Sequence, residues 1–181
     1  MPNCRHFIML YLEASDEGRE ILAGAYSKMV ADGTAKTTFY DGTVTNAEEF
    51  VADLLRPGSL PFLLFWEKSP AGIAWFNSIE GRSARGHFVL FRNVWGRERT
   101  VAIGRGIFTH ILTRKDGHGY LFDVLLGLTP ARNALAWRLG LACGAKEVGN
   151  IPHGAFNAET GKTEDAKLYS VTRASLGIVE E

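Results

Sequence analysis

The stretch that decides the reading is HFVLFRNVWGRERTVAIGRGIFTHILT, from His87 to Thr113. Its opening, through Phe91, is apolar and aromatic, as a strand would be. After the Trp95-Gly96 turn the apolar residues return at helical spacing. A strand that feeds a helix through a glycine turn aims unpaired backbone N–H groups and the positive end of the helix dipole at one spot, which favours an anion there. The charge pattern agrees. Residues 81 to 115 hold eight Lys and Arg (Arg82, Arg85, Arg92, Arg97, Arg99, Arg105, Arg114 and Lys115) against one acid, Glu98. That is eight minus one, or +7, in a chain whose net charge is 0, so the remainder carries −7. Such asymmetry points to an anionic partner: the phosphates of a small cofactor, nucleic acid or an acidic protein face. Arginines on a helix can also be no more than its solvated face.

One βα unit later comes LFDVLLGLTPARNALAWRLGLACGAKEVGNIP, Leu121 to Pro152. Here Phe122 to Leu128 reads as a strand, and Thr129 as the N-cap of a helix with Pro130 at its first position. Leu135, Leu139 and Ala142 recur at helical spacing, and Asn133 in the first turn can face a ligand, the solvent or the cap. Glu147 to Ile151 is a further strand. The closing run Ala166 to Arg173 can pair with it or with the strand before Thr129.

Upstream, His6 to Leu12 reads as a first strand, and Ser15 caps a helix to Ala31. Ala31 to Asn46 is polar and turn-rich, with Asp32-Gly33 and Asp41-Gly42 as breakers. Thr45 or Asn46 caps a helix to Leu55, ended by Arg56-Pro57-Gly58. Pro61 to Glu67, Gly72 to Ile79 and Gly86 to Phe91 form an antiparallel meander. The order then becomes strand, helix, strand, helix, strand, which brings parallel neighbours into the same sheet.

At 181 residues, 46% hydrophobic and 22% charged, the chain suits one globular α/β domain spanning residues 1–181. The run Phe7 to Leu12 is too short to span a membrane and lacks a cleavage site, so a cytoplasmic protein without membrane contact is expected. Cys4 and Cys143 stand far apart, which suits a reducing compartment and leaves one long-range disulfide open. Gly104-Arg105-Gly106 lies inside a predicted helix, as a packing site rather than a dinucleotide turn. His110, Asp116 and His118 gather around a turn but make a weak metal set, so no metal is expected. Trp66, Trp75, Trp95 and Trp137 fall on strand and helix runs, where core packing explains them better than base stacking, and no nucleic-acid partner is expected.

Together these elements resemble the GCN5-related N-acetyltransferase (GNAT) superfamily, the acyl-CoA N-acyltransferase fold, from about Glu49 to Arg173. Trp95-Gly96 through Phe108, Thr129-Pro130 to Ala134, the Gly144 turn and Asp165 to Arg173 are similar to the branch that modifies ribosomal-protein termini. The resemblance implies a mixed, centrally splayed sheet flanked by helices, acetyl-CoA as acyl donor, and a primary amine of a small molecule or protein as acceptor. It places Leu90, Phe91 and Arg92 beside the pantetheine arm. Trp95, Gly96, Arg97, Glu98, Arg99 and Thr100 would wrap the pyrophosphate, with Asn133 near the arm.

The family's phosphate turn has the form Gln/Arg-x-x-Gly-x-Gly/Ala, whereas this chain has Asn93-Val94-Trp95-Gly96-Arg97-Glu98. Glu98 would repel a diphosphate unless its side chain turns outward. Where many members carry a Tyr or Ser donor, this chain has Ala136 and Gly140. His87 and Glu80 are the candidate bases, and Tyr120 or Tyr169 the candidate donors. The competing expectation is a binding or structural role on the same fold, as in phage and prophage acyltransferase-like proteins, some linked with head assembly. A homodimer is open to either role.

Overall fold

The computed structural model describes residues 7–179. His6, expected to open the first strand, and Cys4 lie outside them. The chain opens with β1 (Phe7–Tyr11) and α1 (Asp16–Ala31). The Ser15 hydroxyl caps α1 as expected, accepting from the Gly18 N–H at 3.1 Å. A four-residue helix, α2 (Ala35–Thr38), stands in the stretch expected to be turns alone. For α3 (Ala47–Leu54), Asn46 is the cap, accepting from the Glu49 N–H at 2.9 Å, while the Glu49 carboxylate accepts from the Thr45 N–H at 2.7 Å. This reciprocal pair satisfies two donors at once.

The expected meander is β2 (Leu60–Trp66), β3 (Ser69–Glu80) and β4 (Ser83–Leu90). After the glycine turn come α4 (Arg97–Leu112) and a small hairpin of β5 (Lys115–Asp116) and β6 (Gly119–Tyr120). The chain then gives β7 (Val124–Pro130), α5 (Ala134–Ala142), β8 (Lys146–Asn157) and β9 (Lys162–Thr172). Thr129 and Pro130 do not cap α5. They end β7, opposite Lys167 and Ala166 of β9, where proline's missing donor is tolerated. The cap is Asn133, whose side-chain oxygen accepts from the Ala136 N–H at 3.3 Å.

Seven strands form one sheet in the order β1-β2-β3-β4-β7-β9-β8. β9 pairs antiparallel with both β7 and β8, so the closing run takes both partners open to it. β4 and β7 pair in parallel over Ser83–Arg85 and Val124–Leu126 only. On one face α4 packs Ile103, Ile107 and Ile111 among Phe62, Phe76 and Phe122. On the other, Leu22, Met29, Phe50 and Leu54 of α1 and α3 cover Leu63, Ile73 and Trp75. Each such side chain contributes about 1.5–3 kcal/mol by leaving water. Among the described residues no helix is long and apolar enough to cross a membrane.

Two contacts fix α4. A Cβ at Gly104 would collide with Cys143 Sγ, and one at Gly106 with the Phe7 ring, so the Gly-Arg-Gly run is a close-packing site. At the far end the buried Arg173 guanidinium donates to the carbonyls of Leu112 (3.2 Å) and Phe122 (2.7 Å) and to Asp123 (2.6 Å). It thereby ties the end of α4 to the start of β7. Gly104→Ala is expected to destabilise by about 1–2 kcal/mol, because overpacking outweighs the gain in helix propensity. In a Cys143→Ala background the same change is expected to be neutral or stabilising. Urea unfolding of the four proteins in this cycle measures both, and equal losses in the two backgrounds would put the strain elsewhere.

Candidate active site

Past Arg85 and Leu126, β4 and β7 diverge. From Gly86 to Leu90, β4 keeps its pairing with β3 and has no partner on the β7 side among the described residues. Every second residue there aims its N–H and C=O into the gap. The gap opens into a cleft of about 820 Å³ that reaches both faces of the sheet. It is lined by Gly86–Leu90 and Leu125–Thr129, by the first turns of α4, by one side of α5, and by Asp32, Gly33, Thr34, Thr37 and Thr38.

The start of α4 borders this cleft. Gly96 is its N-cap at φ 146°, backbone that a side chain would strain, and no side chain caps the helix. The first-turn N–H groups therefore have no side-chain acceptor. Arg97, Thr100 and Val101 follow the i, i+3, i+4 rule onto the cleft side. Glu98, Arg99 and Ala102 line a second hollow with Trp66 and Glu67, which shares Trp95, Gly96 and Arg97 with the cleft. Glu98 is thus not part of the cleft lining, though it borders the same turn.

Arg92 is held in place before any ligand arrives. Its backbone N–H donates to Asp32 Oδ2 at 2.8 Å and its Nε to the Asp32 carbonyl at 2.7 Å, with the guanidinium 5.2 Å from the Trp95 ring centroid. Burial opposes charge on Asp32, but the Lys28 ammonium and the Arg92 N–H outweigh it and hold the carboxyl below its usual value. The Trp95 indole donates to the Leu90 carbonyl at 2.9 Å. Trp95 is 45% exposed and is not a core residue as expected, because that hydrogen bond pins its ring at the cleft rim; Trp75 is buried and Trp66 and Trp137 partly so.

Of the residues expected at the anion site, Leu90, Arg92, Trp95, Gly96, Arg97, Thr100 and Asn133 line the cleft. Phe91 is buried toward α1, and Glu98 and Arg99 line the second hollow instead. The basic segment does not converge on one place. Arg82 donates to the Tyr120 and His118 carbonyls and Arg105 to the Leu176 carbonyl, each serving to hold loops.

His87 lines the cleft, stacked on Trp75 with centroids 5.0 Å apart, its Nε2 3.2 Å from Asn77 Oδ1. That oxygen can only accept, so Nε2 carries the proton and Nδ1 keeps its lone pair. Burial first, then the Arg85 and Arg56 charges, push the imidazole down to about 4. Glu80 sits at the exposed end of the β3–β4 hairpin, outside the cleft lining. Of the candidate donors, Tyr120 lies outside the lining, under the Arg173 guanidinium 3.9 Å away, whereas Tyr169 lines the cleft beside Gly127. The Tyr169 hydroxyl is buried without a well-formed hydrogen bond, and burial raises it to about 12, moderated by the nearby Thr129 hydroxyl. Ala136 and Gly140 both line the cleft, and Gly140 faces open space.

His110 packs on Phe62, and the His118 N–H donates to Asp116 at 2.7 Å in the β5–β6 turn; among the described residues no three metal-binding side chains converge. The sequence reading missed Asp32, the α2 threonines and Asn77. It read Trp75 as core packing alone, whereas the β3–β4 register sets it opposite His87 at the cleft.

No family model and no curated protein matches the sequence. Solved structures do match in shape. The microcin C7 self-immunity acetyltransferase MccE, solved with acetyl-CoA and AMP, aligns with a TM-score of 0.70 at 16% identity over 93% of both chains. The chain has the GNAT fold. The Salmonella typhimurium acetyltransferase that modifies the N-terminal serine of ribosomal protein L7/L12 gives 0.72 at 16% identity, over 93% of this chain and 95% of that one. Spermidine N-acetyltransferase from Vibrio cholerae, solved with CoA and spermine, gives 0.67 at 14% identity over 94% and 98%. In GNAT terms, the divergence of β4 and β7 is the expected central splay.

A folded-state imidazole near 4 has a direct consequence for stability. Because the unfolded chain binds this proton more tightly, the contribution of His87 is complete above about pH 6.5 and is lost as pH falls toward 4. The loss amounts to at most about 3 kcal/mol. Chemical denaturation from pH 7.5 to 4 is expected to show a steeper fall for the native protein than for His87→Gln. Parallel curves would mean that His87 titrates normally.

Proposed function

We propose that the protein is an acyl-CoA-dependent N-acyltransferase that moves an acetyl group from acetyl-CoA to a primary amine. The observation that carries this reading is the open edge of β4 leading to the uncapped, glycine-started N-terminus of α4, with Arg92 and Arg97 on the cleft side. Free N–H groups at a helix start and two guanidiniums suit a pyrophosphate. A β-strand edge with unpaired N–H and C=O groups suits the amides of a pantetheine arm, by the same addition that lets a strand extend a sheet. The absence of Glu98 from the cleft lining lessens the repulsion its sequence position suggests. Structural neighbours solved with acetyl-CoA or CoA support the assignment.

In this reading Gly96, Arg97, Thr100 and Arg92 hold the phosphates, while Leu90 and Asn133 border the arm. Acetyl-CoA supplies the activated acyl thioester. The amine lone pair forms the C–N bond, the C–S bond breaks, and the sulfur leaves as thiolate. His87 accepts the amine proton at Nδ1, and Asn77 holds the tautomer that leaves this atom free. Glu80, away from the lining, is not given the base role. Positioning supplies the remaining rate, since orientation alone is worth roughly 7–11 kcal/mol in well-ordered reactions. Ala136 and Gly140 offer the leaving thiolate no donor, which favours slow turnover and makes a binding role on the same fold the second reading.

Acetyl-CoA at about 100 times its Kd is expected to stabilise the protein by about 2.7 kcal/mol, which raises Tm by roughly 5–10 °C. Gly96→Asp should abolish this shift through backbone strain and added charge, while Glu98→Gln should leave it within a degree or two. Equal shifts in all three proteins would place the ligand elsewhere, and no shift or calorimetric heat would leave the binding reading.

Gly140→Tyr tests the missing donor. A Cβ at Gly140 meets no other atom within 4 Å, and replacing a helical glycine favours the helix by a few tenths of a kcal/mol or more. Turnover with a good amine is expected to rise about tenfold or more, with acetyl-CoA affinity unchanged. A folded variant with unaltered turnover would mean that thiolate departure is not limiting.

A further inference from the structure

The end of the cleft opposite α4 carries a signal about the acceptor, on the reading that this cleft is the transferase site. It is bordered by Thr34, Thr37 and Thr38 with Trp75 and His87. The Thr34 hydroxyl donates to the Met29 carbonyl at 3.2 Å, and those of Thr37 and Thr38 to the Thr34 carbonyl at 2.9 Å each. Their protons are therefore spent on the helix backbone. Phe39, Trp75 and His87 continue as a stack, with centroid spacings of 6.0 Å and 5.0 Å. This end is uncharged, flat and largely apolar.

Among the described residues lining the cleft, Asp32 is the sole carboxylate. Both its oxygens are engaged, Oδ1 by Lys28 and Oδ2 by the Arg92 N–H. Nearby, Asp41 accepts from the Thr43 N–H and hydroxyl, so its charge is also partly committed. The charges that act on His87 from outside the lining are mixed, Arg85 and Arg56 against Asp41, and Arg56 is itself paired with Asp53 at 3.2 Å. An ammonium entering here would give up water and find no free carboxylate in the lining. An amine without charge meets none of these costs.

We propose that this end of the cleft selects amines with a large uncharged fraction near neutrality, borne on an uncharged or apolar carrier, and rejects alkylammonium acceptors such as polyamines and lysine side chains. Two sources share that chemistry: the α-amino group of a peptide N-terminus, with pKa about 7.7–8.0, and an aromatic amine. A lysine ε-amino group, near 10.4, presents on the order of 100-fold less free base at pH 7.5. A weakly basic His87 cannot make up that difference by taking the proton first.

The test uses the full chain with acetyl-CoA at pH 7.5 and follows thiol release. The acceptors are an uncharged peptide amide with a free N-terminus, aniline, spermidine and Nα-acetyl-lysine amide. Either of the first two is expected to exceed both alkylamines in kcat/KM by on the order of 100-fold, and their ranking separates the peptide source from the aromatic one. Thr37→Glu, at an exposed position, is expected to narrow the gap to spermidine at least tenfold. Preference for spermidine or lysine, no turnover of any amine despite calorimetric binding of acetyl-CoA, or an unchanged spermidine ratio in Thr37→Glu would each overturn the inference. Absence of acetyl-CoA binding is a different failure, which removes the transferase reading itself and this inference with it.

Discussion

The parallel pairing of β4 with β7 lasts three residues on each strand, and the site depends on its stopping there. Each strand can leave the other cheaply because each keeps a full ladder on its other side. β4 stays registered on β3 as far as Leu90, and β7 on β9 as far as Pro130. One row of hydrogen bonds is left unmade, and the groups that would have made it line the cleft. Side chains hold the wedge open. The Tyr169 ring occupies the space over Gly127, and the Phe88 ring meets Phe108 edge-on at 5.9 Å.

The end of α1 and the turn after β4 are joined at the rim of this wedge by a pair of residues. Asp32 ends α1, Arg92 follows β4, and the backbone of each binds the side chain of the other. The Arg92 guanidinium beside the turn before α4 and the α2 wall of the cleft are consequently set by the same contact. The order of charges along α4 adds a second control. Successive residues rotate about 100° around a helix, so Arg97 reaches the cleft lining and Glu98 does not, though both border the second hollow.

Most of the framework was legible because its signals are local. Ser15 and Asn46 cap the helices they precede, and the aromatic meander pairs as its short turns require. The errors arose where a distant strand overrode a local preference. Thr129-Pro130 has the chemistry of a helix start, but β9 captures both residues, and the helix waits for Asn133. In the site, the turn and Arg92 could be read directly. Helical periodicity also separates Glu98 from the cleft-lining Arg97, Thr100 and Val101, and could have been used. The Asp32 clamp links residues 60 positions apart, and no pattern within either segment announces it. The α2 threonines form too short a helix to show a period.

The position of β9 also bears on how the molecule is made. It is the last strand of the sheet to be synthesised, yet it sits inside, between β7 and β8. Until Lys162–Thr172 has left the ribosome, β7 is an edge without its antiparallel partner and β8 has nothing to pair with. Arg173 follows at once and fastens the end of α4 to the start of β7. The nascent chain can complete β1 to β4 with their helices early, since those contacts are close in sequence, but the second wall of the cleft must wait. The complete cleft therefore arrives in a single late step, and an interrupted translation product would expose the unpaired edge of β7 instead of a partly formed cleft.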